Sequence, residues 1–254
     1  MLLNISTRAR VETGDHVLIG GFVIRGNAPK RIIARGLGPS LGASGVSNTL
    51  QDPVLRLFSG PTVIAANDNW AESDPATIAA SGFQPQDGRE SAVVATLDPG
   101  AYTVILSGAQ NGQGVALVEV YDLDSTSPTT LVNISTRGVV RAGDNVMIGG
   151  LVVSGASAGQ FVVRAVGPSL AAQGIPDPLP NPVLQLHDIN GNMIGFNDDW
   201  DQSPPGELQS MGLAPSSELE AAIVSTLPPG NYTAIVRSIS PSTSGVALVE
   251  IYRP

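Results

Sequence analysis

Short apolar runs recur along the whole chain and are rich in β-branched residues. Turn sequences such as Asp98-Pro-Gly100 and Pro228-Pro-Gly230 separate them. Runs of four to eight such residues between Gly, Pro and Asp predict β-strands rather than long helices. In the first half of the chain the predicted strands are Val17–Ile24, Arg31–Arg35, Val54–Phe58, Val63–Ala66, Ser91–Ala95, Tyr102–Leu106 and Val115–Val120.

Two features modify this strand pattern. The sequence Ser73-Asp74-Pro75 before Ala76–Ala80 offers a cap and a first-turn proline, so it predicts one short helix. The pair Gly20-Gly21, which recurs as Gly149-Gly150, interrupts a strand and predicts a bulge or close backbone packing there.

The second half of the chain repeats the first. Four motifs recur 129 to 131 residues later, and the small drift in spacing places insertions in loops. The pairs are Asn4–Arg8 with Asn133–Arg137, Gly36–Leu41 with Ala165–Leu170, Asn67–Trp70 with Asn197–Trp200, and Gly114–Tyr121 with Gly245–Tyr252. The repeat predicts two domains, residues 1–124 and 131–254, joined by a short polar linker at 125–130.

The predicted fold class is all-β, with two tandem β-sandwich domains that each contain at most one short helix. Roughly seven to nine closely spaced strands per copy are typical of immunoglobulin-like or jelly-roll sandwiches. The sequence leaves the choice between these two topologies open.

Composition narrows the functional classes. The formal net charge is −9 and Lys30 is the single lysine, so no basic stripe is present to bind nucleic acid. The same negative charge disfavours an anionic membrane surface, and no apolar run is long enough to be inserted across a bilayer. Cysteine is absent, which excludes disulfides and thiolate metal sites. Low pI and few lysines suit an exported protein, although Met1–Thr7 lacks the features of a signal peptide.

The motifs Asn133–Gly138, Arg164–Leu170, Asn197–Trp200 and Ala247–Tyr252 together resemble repeats that occur in tandem in large surface proteins of environmental bacteria. The segments Leu186–Gly191, Ile194–Asp199 and Ser225–Thr233 are also similar, more weakly, to bacterial pre-peptidase C-terminal domains. Those domains are non-catalytic β-sandwich appendages of secreted enzymes, some of them calcium-dependent. The resemblance implies an extracellular or cell-surface location and a non-catalytic role.

A hydrolase is the first enzymatic class to test. Gly38–Gly42 matches the G-x-S-x-G pattern, but a loop follows it where a nucleophile elbow needs a helix. The second copy has Ala171 in place of the last glycine, and neither His16 nor His187 recurs in the other copy. The pattern therefore indicates a turn, and we expect no enzymatic activity.

A calcium site is a second candidate. Hard oxygen ligands gather within a short stretch of the second copy, at Asp188, Asn190, Asn192, Asp198 and Asp199. Their first three positions are spaced like the start of a calcium loop, but no Glu stands at the twelfth position. The alternative is a hairpin with an Asn190-Gly191 turn and Asx side chains that cap backbone amides.

Aromatic and charged residues shared by both copies are mostly expected to be structural. The tyrosines at 102, 121, 232 and 252 fit core or corner positions, whereas Trp70 and Trp200 lie in loops and stay candidates for stacking on a ligand. Arg35 and Arg164 lie inside apolar runs, as do Glu119 and Glu250, so each arginine is expected to pair with a carboxylate of its own domain.

Two functions fit these observations. The first is a structural module that assembles with copies of itself into a surface fibre, filament or stalk, since repeated contacts between copies extend naturally. In this hypothesis the first segment adds a strand to a neighbouring sheet; its residues are Leu2, Leu3, Asn4, Ile5, Ser6, Thr7 and Arg8. The alternative is a secreted, adhesin-like module that binds carbohydrate or another surface ligand, with or without calcium.

Overall fold

The computed structural model describes residues 2–124, 126–143, 145–202 and 206–254, and of residues 2, 3, 5, 133 and 134 it describes the backbone. The first repeat contains eight strands: Leu2–Val11 (β1), Leu18–Arg25 (β2), Lys30–Leu37 (β3), Pro53–Ser59 (β4), Thr62–Asn67 (β5), Ser91–Leu97 (β6), Gly100–Gly108 (β7) and Gly114–Asp122 (β8). The second contains eight more: Thr130–Val140 (β9), Met147–Val153 (β10), Gly159–Val166 (β11), Pro182–His187 (β12), Met193–Asn197 (β13), Ala221–Leu227 (β14), Gly230–Ser238 (β15) and Gly245–Tyr252 (β16).

Within the described ranges, three short α-helices accompany the strands: Trp70–Ser73 (α1), Pro75–Ala80 (α2) and Glu207–Ser210 (α3). The predicted helix is α2, where the Asp74 carboxylate accepts a hydrogen bond from the Thr77 amide at 3.3 Å. One short helix was expected in this repeat, but α1 adds a further helical turn before it. Ile78 of α2 is buried in a small cluster with Ile33 and Ala92, so the helices cover the outer face of one sheet. In the described part of the chain, no helix has the length and apolar character needed to cross a membrane.

Antiparallel pairings link the strands into two long sheets. One has the order β13-β12-β15-β10-β1-β8-β3-β6 and the other has the order β5-β4-β7-β2-β9-β16-β11-β14. Each sheet takes half of its strands from each repeat. The two sheets meet where β1 and β9 run parallel, with Leu2 opposite Leu131 and Arg10 opposite Val139.

Each repeat is a sandwich of two four-stranded half-sheets. In the first repeat β1, β8, β3 and β6 face β2, β7, β4 and β5. Burial alternates along β2, as expected when one face of a strand points into a core. Leu18, Leu55 and Leu106 from one half-sheet share a cluster with Ile32 and Val118 from the other. The predicted all-β class and its sandwich architecture are confirmed.

The two sandwiches share one apolar core. Ala9 and Leu18 of the first repeat belong to the same buried cluster as Leu131, Val140 and Met147 of the second. Burial of apolar surface is the main stabilising contribution to such a junction. The repeats therefore form one continuous packed body.

The joint between the repeats is tightly held. Thr130 of the predicted linker already belongs to β9, and Thr129 is fully buried. The Thr129 hydroxyl donates to the Ala28 carbonyl at 3.0 Å and accepts from the Ala28 amide at 3.3 Å. Ser125 lies outside the described residues.

The repeated glycine pair allows strands of the two repeats to approach closely. Gly21 of β2 pairs with Ser135 of β9, and a Cβ at Gly21 would lie 2.8 Å from the Ser135 hydroxyl oxygen. Gly150 of β10 has the same relationship to Ser6 of β1. Close backbone packing, one of the two predicted roles of this pair, is the observed one.

Candidate functional site

The predicted assembly segment, Leu2 to Arg8, lies at the centre of the molecule. It belongs to β1, where Ser6 pairs with Glu119 of β8 on one edge and with Gly150 of β10 on the other. Both edges are thus occupied by strands of the same chain. In this structure the segment joins the two repeats, and its predicted use by a neighbouring subunit would require β1 to leave these partners.

An ion pair closes the same junction. The Arg141 guanidinium donates to the Glu12 carboxylate, with an Nε–Oε1 distance of 3.0 Å, and Arg10 donates to the same oxygen at 3.2 Å. The hydrogen bond from Arg141, together with its positive charge, lowers the pKa of Glu12 although partial burial opposes that shift. Glu12 and Arg141 occupy equivalent positions in the two repeats.

Four strands lie at the ends of the two sheets, namely β5, β6, β13 and β14. Strand β5 is paired only with β4, and β13 only with β12, in the described part of the chain. The sequences of both strands, Thr62–Asn67 and Met193–Asn197, contain no charged residue and no proline. Proteins commonly protect such edges with lysine, proline or a bulge, because unpaired N–H and C=O groups can bind another strand.

The exposed apolar side chains cluster at these two edges. Among the described residues, eight large hydrophobic side chains are exposed, and six of them lie in β5, in β13 or in the turn before β13. The six are Val63, Ile64, Ile189, Met193, Ile194 and Phe196. Ile189 is 69% exposed and Phe196 is 53% exposed. Clusters of this kind mark interaction surfaces on proteins that are otherwise soluble.

In each of the other two end strands, β6 and β14, one backbone amide is bound by an asparagine side chain. The Asn67 side-chain oxygen accepts a hydrogen bond from the Ala92 amide of β6 at 2.9 Å. Asn197 makes the equivalent bond to the Ala222 amide of β14 at 2.8 Å. The asparagines of the Asn-Asp-Asn/Asp-Trp motif therefore hold sheet ends together, and the end strands that expose large apolar side chains, among the described residues, are β5 and β13.

The structure separates the five predicted calcium ligands. The Asp188 carboxylate accepts a hydrogen bond from the Asn192 side-chain amide at 2.9 Å and from the backbone amides of Asn192 and Asn190 at the same distance, and these bonds lower its pKa. Asp198 and Asp199 follow the far end of the β12–β13 hairpin, beyond five residues of β13. At about 3.3 Å per residue, that strand alone spans roughly 16 Å.

Asp188 and its neighbours thus form the predicted hairpin turn, with Gly191 at a φ of 81°. Among the residues described, no group of three acidic or histidine side chains is placed to hold a metal ion. The five residues do not form one metal site, because the pleated strand carries them to opposite ends of the hairpin.

Both tryptophans are held by the backbone. The Trp70 indole donates to the Asp87 carbonyl at 3.1 Å and packs beside Ile33 and Ile78. Trp200 donates to the Ser217 carbonyl at 2.9 Å in the equivalent place. Each ring is partly buried, so it contributes to packing at the helical segment rather than standing free as a stacking platform.

A buried glutamate that the sequence analysis missed explains the Gly-Pro-Ser motif. Glu90 is fully buried, and its Oε1 accepts from the amides of Gly38 and Ser40 and from the Ser40 hydroxyl, at 2.9, 3.0 and 2.6 Å. Glu220 makes the same three bonds in the second repeat. The available signal was a glutamate that recurs immediately before the sixth strand of each repeat.

The predicted arginine pairs are confirmed. Arg35 Nε donates to Glu119 at 3.1 Å, and Arg164 Nε donates to Glu250 at 2.9 Å. Each arginine also lies over a tyrosine ring, Tyr121 or Tyr252. Burial, reinforced by the adjacent carboxylate, raises the pKa of each of these tyrosines to about 12.

A groove of about 650 Å³ lies between the repeats. Its titratable lining residues, in the part of the chain that the structure describes, are Arg8 and Arg10. Ser44, Ser47 and Asn48 supply further polar groups. No carboxylate or histidine stands among these described lining residues.

No family model matches this chain, and the search of curated proteins gave no match. Among solved structures, it is similar to the tandem CBM51 modules of the family 98 glycoside hydrolase from Streptococcus pneumoniae SP3-BS71, at 9% identity and a TM-score of 0.25 over 89% of this chain and 78% of that one. It is also similar to the STIV MCP, at 11% identity and a TM-score of 0.25 over 98% and 95% of the two chains. A protein of the Sulfolobus Turreted Icosahedral Virus gives 9% identity and a TM-score of 0.24 over 100% and 90%. Likeness at this level carries no argument about function.

Proposed function

We propose that this chain is a non-catalytic structural module that assembles with copies of itself through its open sheet edges, as a subunit of an extracellular fibre, filament or stalk. The observation that carries the proposal is the pair of uncharged edge strands, β5 and β13, at which most of the exposed large apolar side chains lie. One edge belongs to each repeat. A molecule with two such surfaces can bind a neighbour at each and so extend into a polymer.

The shared core supports a mechanical role. Continuous sheets and one buried cluster connect the repeats, so a load applied at one edge is transmitted through backbone hydrogen bonds to the other. The buried Glu90 and Glu220 fix a loop in each repeat, and Arg35 and Arg164 fix the outer faces of the sheets. These polar groups are engaged in structural bonds.

The same bonds support the non-catalytic part of the proposal. The Ser40 hydroxyl donates to Glu90, whose carboxylate also binds two backbone amides. A serine nucleophile needs a base that is free to take its proton and a site for the reacting carbonyl. Here the carboxylate completes a loop, and the equivalent Ser169 and Glu220 repeat the arrangement without the final glycine of the pattern.

Light scattering and negative-stain electron microscopy across a concentration series test this function. Regular fibres or concentration-dependent oligomers are expected near neutral pH. Monodisperse two-lobed particles at all concentrations would contradict self-assembly. Glycan-array binding, with Trp70→Ala and Trp200→Ala variants, would then examine the alternative of a surface-ligand module.

A further inference from the structure

The two open edges run in the same direction, which limits how copies can join. Strands β1 and β9 are parallel, and each is separated from its edge strand by the same number of antiparallel steps. A second copy placed by simple translation would therefore pair β5 with β13 in a parallel ladder. A copy related by a two-fold axis perpendicular to the strands would instead pair β13 with β13, or β5 with β5, in an antiparallel ladder.

Antiparallel pairing is favoured by what the chain already does. Every neighbouring pair within the two long sheets is antiparallel, including the β1–β10 and β9–β2 pairs that join the repeats. An antiparallel ladder is also slightly more stable per residue than a parallel one. A two-fold joint would continue the sheet by the same kind of contact that already connects the repeats.

The β13 edge is the more apolar of the two. Met193, Ile194 and Phe196 are all exposed, and Ile189 extends the apolar surface into the turn. At the position equivalent to Phe196, strand β5 carries only Ala66. Net charges of −9 make two copies repel, but β13 itself carries no charge, so the edge offers a neutral contact.

We propose that β13 binds β13 of a second copy as an antiparallel pair centred on Gly195. In this register Ile194 of each copy lies opposite Phe196 of the other, which forms two aliphatic–aromatic cross-strand pairs on one face. The Gly195 residues of the two copies lie opposite each other at the two-fold axis, and neither has a side chain on the opposite face. The β13–β13 contact rests on the proposed self-assembly and is its first step. Contacts at the less apolar β5 edge then extend the dimer into longer species.

A charged side chain introduced into β13 tests the proposed β13–β13 contact. Ile194→Lys places a charge in the middle of the contact, whereas Ile64→Lys, at the equivalent exposed position of β5, leaves the β13 joint intact. Sedimentation velocity of the full chain should show that I194K weakens dimer formation by at least about tenfold. I64K should retain the dimer and lose longer species. Equal melting temperatures measured by circular dichroism would show that both variants fold.

Cysteine pairing tests the register, since the chain contains no native cysteine. Directly opposed residues in an antiparallel ladder have Cα atoms about 4.5–5.5 Å apart, within the range that a disulfide spans. A mixture of I194C and F196C chains should form more disulfide dimer under mild oxidation than either variant alone. Equal cross-linking in all three samples would overturn the register.

Different results would contradict the β13–β13 contact and the proposed self-assembly. If wild-type chains form oligomers that I194K leaves unchanged, the β13 joint is wrong but self-assembly stands. If the wild-type chain stays monomeric at every concentration, both are overturned.

Discussion

The hydroxyl of Thr7 donates a hydrogen bond to the hydroxyl of Thr136, 2.9 Å away, and both side chains are fully buried. The two threonines are equivalent residues of the two repeats. Their strand partners are reciprocal, because Thr7 pairs with Gly149 and Thr136 pairs with Gly20. The repeats thus meet as an isologous pair about a pseudo-two-fold axis, like the subunits of a symmetric dimer.

Replacing both threonines should lower the free energy of unfolding by less than the sum of the two single replacements. Thr7→Val leaves the Thr136 hydroxyl buried without this donor, so a loss of about 1–3 kcal/mol in the free energy of unfolding is expected. Thr136→Val is the matched variant. The double variant removes both hydroxyls and should lose less than the sum of the two. Urea denaturation measures all four proteins, and strict additivity would show that the bond contributes nothing.

Glu12 and Arg141 occupy equivalent positions in the two repeats but carry opposite charges. This difference favours a junction between the first repeat and the second over a junction between two copies of the same repeat. Glu12 binds Arg141 across the junction, whereas two identical copies of either repeat would bring like charges together. Glu12→Arg should destabilise the junction, because it places a third cation beside Arg10 and Arg141. The swap Glu12→Arg with Arg141→Glu should recover part of that loss. The pair is partly exposed, so effects of about 0.5–1 kcal/mol are expected in thermal melts. A swap no more stable than either single variant would contradict this selection.

The same pair predicts an acid-sensitive junction. Because the folded protein lowers the pKa of Glu12 from its ordinary 4.5, the pair's stabilisation is fully present above that value. It is lost as pH falls through the lowered pKa, when the carboxylate becomes protonated. Melting temperatures measured between pH 7 and pH 3 should fall less steeply for Glu12→Gln than for the wild type. Parallel curves would exclude this contribution.

The buried glutamate of each repeat should matter to stability and not to catalysis. Glu90→Gln replaces one acceptor oxygen by a donor within a set of hydrogen-bond donors, and a loss of about 1–3 kcal/mol is expected. Glu220→Gln is the matched change in the second repeat. Ser40→Ala removes one bond and should lose about 1 kcal/mol. Chemical denaturation provides these values, and any esterase activity abolished by Ser40→Ala would overturn the structural assignment.

Calcium should have little effect on stability. The Asp188 carboxylate is occupied by amides of its own turn, and Asp198 and Asp199 lie at the other end of the hairpin. Melting curves with millimolar calcium and with a chelator are therefore expected to coincide. Asp188→Ala should lower the melting temperature equally in both conditions, because the turn loses its acceptor. A calcium-dependent rise that this variant abolishes would restore the metal site.

Local patterns made much of the fold predictable. Apolar runs between Gly and Pro turns indicated the strands, and the recurring motifs indicated two related halves, because both depend on neighbours within one strand or turn. The arginines at 35 and 164 were predictable partners of carboxylates, since a charge inside an apolar run requires one. A glutamate at the start of a strand, such as Glu90, is expected to be exposed to solvent, so the sequence did not indicate that it is buried.

The sequence by itself determined the all-β class, the internal repeat and the short strands. Only the tertiary structure decided that β1 pairs with β10 and β9 with β2, so that Leu2–Arg8 joins the repeats and β13 is left open. The physical reason is that strand pairing uses backbone groups that are common to nearly every residue. An apolar side chain likewise does not specify which distant strand will pack against it. Which apolar side chains stay exposed depends on packing between distant segments.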